Sequence, residues 1–139
     1  MRSLELDALL GDKHLHATFH DSELECVGLN FAANTISFNF MIPCGIAAGR
    51  QLAYEKGMLV FHEPLFYYIE PCEYRTKLND RAALWITDDG PLPNSAVEAS
   101  GKLPHDLPPD AFAHYFYSST TNSFIVVAAR RASFQWEDS

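Results

Sequence analysis

Four side chains near the amino terminus have the types and spacing for metal chemistry. His14, His16, His20 and Asp21 fall within eight residues. In an extended segment His14 and His16 point the same way, and His20 or Asp21 completes a donor set for a divalent metal. His62 or Glu63 could join such a centre. One reading is therefore a metal-dependent enzyme or small-ligand binder built on His14, His16 and His20. The plainer reading is a polar loop with exposed imidazoles.

His20-Asp21-Ser22 carries the residue types of a nucleophilic triad. Contiguous residues of an extended chain point alternately apart, so these three cannot converge as a relay. No Gly-x-Ser-x-Gly elbow exists. A structural role fits better: Asp21 or Ser22 accepts backbone hydrogen bonds where a strand begins, and His20 bonds across to another strand or loop.

The other reactive types are scattered. Cys26, Cys44 and Cys72 form no Cys-x-x-Cys pair, and their odd number fits reduced thiols in a cytoplasmic protein. Glu63, Glu70 and Glu73 surround an aromatic segment, and Asp88-Asp89-Gly90 reads as a turn. There is no phosphate-cradling glycine loop and no dinucleotide fingerprint. No catalytic set emerges, and the balance leans away from an enzyme.

Two aromatic clusters remain, Phe66-Tyr67-Tyr68 and Tyr115-Phe116-Tyr117. At period two, half of each cluster points out of the core. Tyr67, Tyr68, Tyr115 and Tyr117, together with Asp88 and Asp89, are the expected recognition surface. Core packing of the same rings is the competing expectation.

The elements that position these groups follow from periodicity. Ile36, Phe38, Phe40 and Ile42 alternate with Thr35, Ser37 and Asn39, as in a half-buried strand. Before them, Leu24 and Cys26 share one parity and Val27, Leu29 and Phe31 the other. This predicts a β-bulge near Gly28. Ala32–Asn34 supplies the turn, with Asn34 at positive φ.

Residues 3–10 predict one or two helical turns capped by Ser3 and stopped by Gly11. Residues 43–57 read as a loop. Met58–Phe61 and Leu65–Ile69 read as a strand that Pro64 bulges or breaks. Residues 71–81 form a charged connection with a short helical turn, and 82–87 a strand. Residues 91–109, with five prolines, read as a long loop. Pro109 and Asp110 could open a helix over Phe112–Tyr117, but its aromatic density and the turn that follows favour a strand, and Ser123–Ala129 reads as a central strand. Arg130-Arg131 marks an edge or phase change before Ala132, Phe134 and Trp136 resume alternation.

Six or seven short strands and little helix predict a mainly β protein, either an antiparallel sandwich or an open, curled barrel. The 139 residues fit a single domain spanning 1–139. The net charge of −8 argues against nucleic acid and against anionic membranes, and is compatible with a basic protein partner. No stretch has the length and hydropathy of a bilayer span or a signal core.

His20-Asp21-Ser22, Leu24–Val27, the alternating Ile36–Ile42 strand, Leu59-Val60-Phe61 and the Leu78–Ile86 segment together resemble a broad set of small bacterial proteins. Some of these are similar to immunity proteins, which neutralise a toxin domain by binding it. The resemblance covers roughly residues 19–87 and implies no catalytic residue. The leading expectation is thus a non-enzymatic protein-binding module, immunity-like. A homodimeric structural domain that buries Tyr67, Tyr115 or Trp136 is a further alternative.

Overall fold

The structure is a computed structural model that describes residues 1–46, 52–72, 83–93 and 97–137. It is mainly β, with a curled half-barrel sheet of seven antiparallel strands. In chain order these are β1 (Glu23–Asn30), β2 (Thr35–Ile46), β3 (Leu52–Ile69), β4 (Leu84–Trp85), β5 (Asp88–Leu92), β6 (Phe112–Ser118) and β7 (Ser123–Trp136). Their order across the sheet is β4-β1-β2-β3-β7-β6-β5. Of the two expected architectures, the curled sheet is the one formed. A 3-10 helix, Leu6–Leu10, precedes β1, and one short helix, α1 (Val97–Ser100), lies between β5 and β6.

The hairpin forms as its alternation requires. Leu29 pairs with Ile36 and Val27 with Phe38, and Asn34 takes φ 53° in the turn. The bulge sits at Glu25, between Leu24 and Cys26, not at Gly28. The extra residue there turns the buried side from Leu24 to Val27, which is the parity change the sequence demands. Glycine is not needed for it.

The sheet curls until its two edges nearly meet. β4 and β5 are the outermost strands, yet only Ile86 and Thr87 separate them in the chain. Those two residues bridge the gap. Ile86 donates to the Ser22 carbonyl and accepts from the Asp21 amide, both at 2.8 Å. Thr87 N donates to the Tyr117 carbonyl at 2.8 Å, and the Thr87 hydroxyl accepts from Ser119 N at 2.9 Å. β1 on one side and β6 on the other are thereby tied together.

The core fills the inside of the curl. Phe116 on β6 lies 5.5 Å from Phe38 and 5.6 Å from Phe40 on β2, measured between ring centroids. β3 and β7 lie between β2 and β6 in the sheet, three strand spacings in all, so only curvature brings these rings together. Phe19 plugs the open end, 5.2 Å from Phe40 and 5.8 Å from Phe134. Leu6 and Leu10 of the 3-10 helix complete the cluster. Burial of a large apolar side chain stabilises by about 1.5–3 kcal/mol, so these phenylalanines dominate the fold's energetics.

The outer surface divides into two halves. On β7 the inward residues are Ile125, Val127 and Ala129, then Ala132, Phe134 and Trp136. The phase changes at Arg130-Arg131, as alternation predicts. β3 is one strand, bulged between Pro64 and Phe66 beside the same point. Beyond these irregularities the outward residues Phe66, Tyr68, Phe124, Val126 and Ala128 form a second cluster. It is covered by Ala99, Leu103 and Leu107.

Four expectations are corrected. Gly11 does close the first helix, at φ 69°, but Glu5 rather than Ser3 is its N-cap residue, with no side-chain cap. Residues 43–46 and 52–57 are strand, with Pro43 paired to Tyr54. Asp88-Asp89-Gly90 is β5, not a turn, because pairing with β6 overrides its turn composition. The proline-rich segment holds part of β5 and α1, and its leucines cover the second cluster. Residues 73–82 lie outside the described residues, and with them most of the charged connection and the start of the strand expected over 82–87.

Candidate binding face

The histidine set does not converge. Residues 11–20 form bends and turns, so His14 and His16 lose the common direction an extended segment would give them. His14 packs edge-on against Trp136, 4.7 Å between centroids. His16 lies against Gly45. His20 stays exposed, 3.7 Å from Asp21. His62 bonds to Ser133 Oγ at 2.8 Å, and Glu63 lies 3.9 Å from Arg131. Among the described residues no three His, Cys, Asp or Glu side chains are grouped to hold a metal ion.

The His20-Asp21-Ser22 motif shapes the lead-in to β1. Asp21 takes φ 67°, a left-handed turn that Asp tolerates better than most residues. Buried Ser22 donates its hydroxyl to the Phe19 carbonyl at 2.5 Å. The carboxylate that receives a backbone N–H is Asp7, not Asp21. Asp7 accepts from Phe19 N at 3.1 Å and from the Thr18 hydroxyl at 2.8 Å. Together these bonds hold Phe19 in the core.

The tyrosines are mostly not a surface. Tyr115 is 5% exposed, because the second cluster covers it, and its hydroxyl donates to Asp88 at 2.8 Å. Burial, then that hydrogen bond, then the charges of Asp88 and Asp89 push its ionisation well above the ordinary phenol value. Tyr68 and Tyr117 are half-buried and bond to Glu70 and Asn122. Tyr67 alone of the four is exposed, at 44%. Asp89 is engaged by buried His114, Nε2 to Oδ2 2.7 Å. Asp88 and Asp89 therefore brace β5 against β6.

The feature missed in the sequence is the other half of the outer surface. Strand register arranges it in rows. Trp85, Glu23, Met41 and Lys56 lie side by side across β4, β1, β2 and β3. Glu137 continues this row, its amide bonded to the Lys56 carbonyl at 2.9 Å. The next outward row is Cys26, Asn39, Met58 and Gln135. Gly28, Ser37, Val60 and Ser133 form the third. Trp85 is 46% exposed and Met58 37%.

Between the first two rows runs a groove of about 550 Å³, lined by Lys56 and Glu137 of the first row, by the whole second row, by the bulge residue Glu25, and by Phe40, Gly57 and Trp136. These last three are paired with one another and belong to the inward-facing set, so they offer the groove their backbone. The Asn39 amide donates to Cys26 Sγ at 2.9 Å. Glu25, Lys56, Gln135 and Glu137 make no side-chain hydrogen bond or ion pair with other described residues. Their polar groups face solvent.

No sequence signal marks this face, because its residues come from five separate strands and none is chemically unusual. Only pairing register assembles them. Among the described residues no helix is long and apolar enough to cross a membrane.

Comparison with known proteins adds little to this geometry. No family model matches the chain, and no curated protein does. The chain is similar to an uncharacterized protein from Neisseria gonorrhoeae known from a crystal structure, with a TM-score of 0.49 and 12% identity, covering 86% of this chain and 94% of that one.

Proposed function

We propose that this chain is a non-enzymatic protein-binding module of bacterial, immunity-like type. It acts in the cytoplasm and engages a basic protein partner through the open outer face of β1, β2, β3 and β7. The observation that carries the reading is the face itself. Among the described residues, Ala99, Leu103 and Leu107 cover one half of the outer surface and none covers the other half. The open half presents Met41, Met58 and Trp85 together with Glu25, Lys56, Gln135 and Glu137, whose side chains make no hydrogen bond or ion pair with other described residues. Exposed Trp beside adaptable Met is the composition of a recognition surface. The net charge of −8 favours a basic partner.

Site-specific photo-cross-linking in source cells tests the reading. A probe at Val60 or Gln135 is expected to trap one discrete protein. A probe at Lys102, on the covered half, is expected to trap none, and Trp85→Ala should reduce the yield from Val60. Equal trapping from Lys102, or no discrete product from the open face, overturns it.

Self-association is a second reading, favoured by exposed Leu65, Tyr67 and Ile69 along the carboxyl-terminal part of β3. A sedimentation profile that stays monomeric at high concentration removes it.

A further inference from the structure

We infer that the groove between the first two outer rows receives an extended peptide segment carrying two basic side chains four residues apart. The inference rests on the protein-binding reading and specifies what that face selects. The charge layout of the groove carries it. Glu25 lies at the β1 end and Glu137 at the β7 end, and both line the groove. Neither carboxylate bonds to another described residue. β1 and β7 are three strand spacings apart in the sheet. At about 4.8 Å per spacing the two acidic ends stand about 14 Å apart.

An extended chain rises about 3.4 Å per residue and places every second side chain on the same side. Residues i and i+4 therefore project the same way about 14 Å apart, and i+2 falls between them. A segment laid along the groove meets one carboxylate at each end. Lys56 stands on β3 between the two carboxylates, two strand spacings from Glu25 and one from Glu137. That is about 3 Å from the level residue i+2 reaches, so its charge selects against a third cation there. The charge pattern is negative, positive, negative. Its complement is two basic residues with a neutral or acidic residue midway, not a uniformly basic tract. Asn39 and Gln135 line the wall opposite Lys56 and supply amide donors and acceptors to a peptide backbone. Met58 beside them offers a soft apolar surface to the alkyl stems of Arg or Lys.

The test is amide-resolved NMR titration of the full chain at low ionic strength with short capped peptides. Arg-Thr-Val-Thr-Arg has the inferred spacing and Arg-Thr-Arg a shorter one. Arg-Thr-Arg-Thr-Arg adds a central cation, and Glu-Thr-Val-Thr-Glu reverses the charge. The first is expected to bind most tightly and to shift amides of Cys26, Asn39, Lys56, Met58 and Gln135. Glu25→Gln and Glu137→Gln should each weaken it by about two- to five-fold, the scale of one exposed ion pair. Lys56→Gln should narrow the gap between the first and third peptides.

Equal binding at both spacings, or indifference to both Glu substitutions, overturns the inference. If shifts still map to the open face without a spacing preference, the protein-binding reading survives and only the groove's selectivity falls. If no peptide shifts the face, the inference falls and the protein-binding reading is decided by the cross-linking result. Substitutions at exposed Glu25, Lys56 and Glu137 leave the core untouched, so loss of binding is not confused with loss of fold.

Discussion

Replacing Gly57 with alanine inserts a methyl group where there is no room. A Cβ built on Gly57 stands 2.1 Å from Cζ of Phe134 and 2.9 Å from both its Cε atoms. Carbon atoms in contact prefer about 3.5–4.0 Å, so the ring would have to withdraw by more than an ångström. It has little freedom to do so. Phe134 is held edge-on by Trp136 at 4.8 Å and by Phe19 at 5.8 Å. Trp136 is in turn tied to the Leu10 carbonyl through its indole N–H at 3.1 Å. Overpacking of this kind costs about 1–3 kcal/mol. Alanine recovers about 0.5–1 kcal/mol from the glycine's backbone entropy. The net loss is about 1–2 kcal/mol, which for a domain of this length lowers Tm by about 3–8 °C.

Urea and thermal denaturation of Gly57→Ala, Phe134→Leu and the double variant check this. Leucine at 134 vacates the space over Gly57, so the methyl group should cost nothing in that background, or stabilise slightly. The double-mutant cycle then yields a coupling close to the whole Gly57→Ala penalty. A Gly57→Ala protein as stable as the parent would refute the reasoning. So would a penalty that persists unchanged with leucine at 134.

Two further outcomes are expected. Tyr115 holds its proton in the folded state after the unfolded chain has begun to lose its own, since its ionisation is raised above 10. Its contribution to stability is therefore complete below about pH 10 and drains away as pH rises further. Tm measured from pH 8 to 11 should fall less steeply for Tyr115→Phe than for the parent, and parallel curves would contradict this. Asp89→Ala should lower stability by about 1–3 kcal/mol in urea denaturation, because His114 is 3% exposed, its Nδ1 already lacks a partner, and its Nε2 would lose the one it has. A neutral Asp89→Ala would show that the pair is dispensable.

The parts of the fold that could be read from the sequence were those governed by period two. Ile36 to Ile42 alternate without interruption, and Asn34 is a residue that tolerates positive φ. The odd-to-even switch across Arg130-Arg131 needs only parity to detect. The bulge was detectable but not locatable, since an extra residue at Glu25 or at Gly28 satisfies the same parity. Asp88-Asp89-Gly90-Pro91 was misread because its composition is turn-like. Its fate was decided by pairing to β6 and by the His114 and Tyr115 contacts, both distant in sequence. Tyr68, Tyr115 and Tyr117 face away from the inner core, yet they pack into the second cluster instead of forming the expected recognition surface. What covers them comes from Ala99, Leu103 and Leu107, in a segment whose prolines hid its packing role. The histidines failed as a site because residues 11–20 turn instead of extending. The open face was illegible because Cys26, Asn39, Met58 and Gln135 become neighbours only through register.

The central claim is that this face is covered by a partner where the protein works. Cys26 is exposed on it and reports directly, while Cys72 is also exposed and serves as the internal control. Cys44 is half-buried, and burial holds its thiol above the ordinary value, so it labels slowly. The most direct measurement is the maleimide labelling rate of Cys26 relative to Cys72, for the protein in extract of its source cells and again after purification. The account predicts that Cys26 slows at least several-fold in the extract while Cys72 does not, and that Trp85→Ala restores the Cys26 rate. Identical relative rates in both settings would contradict it.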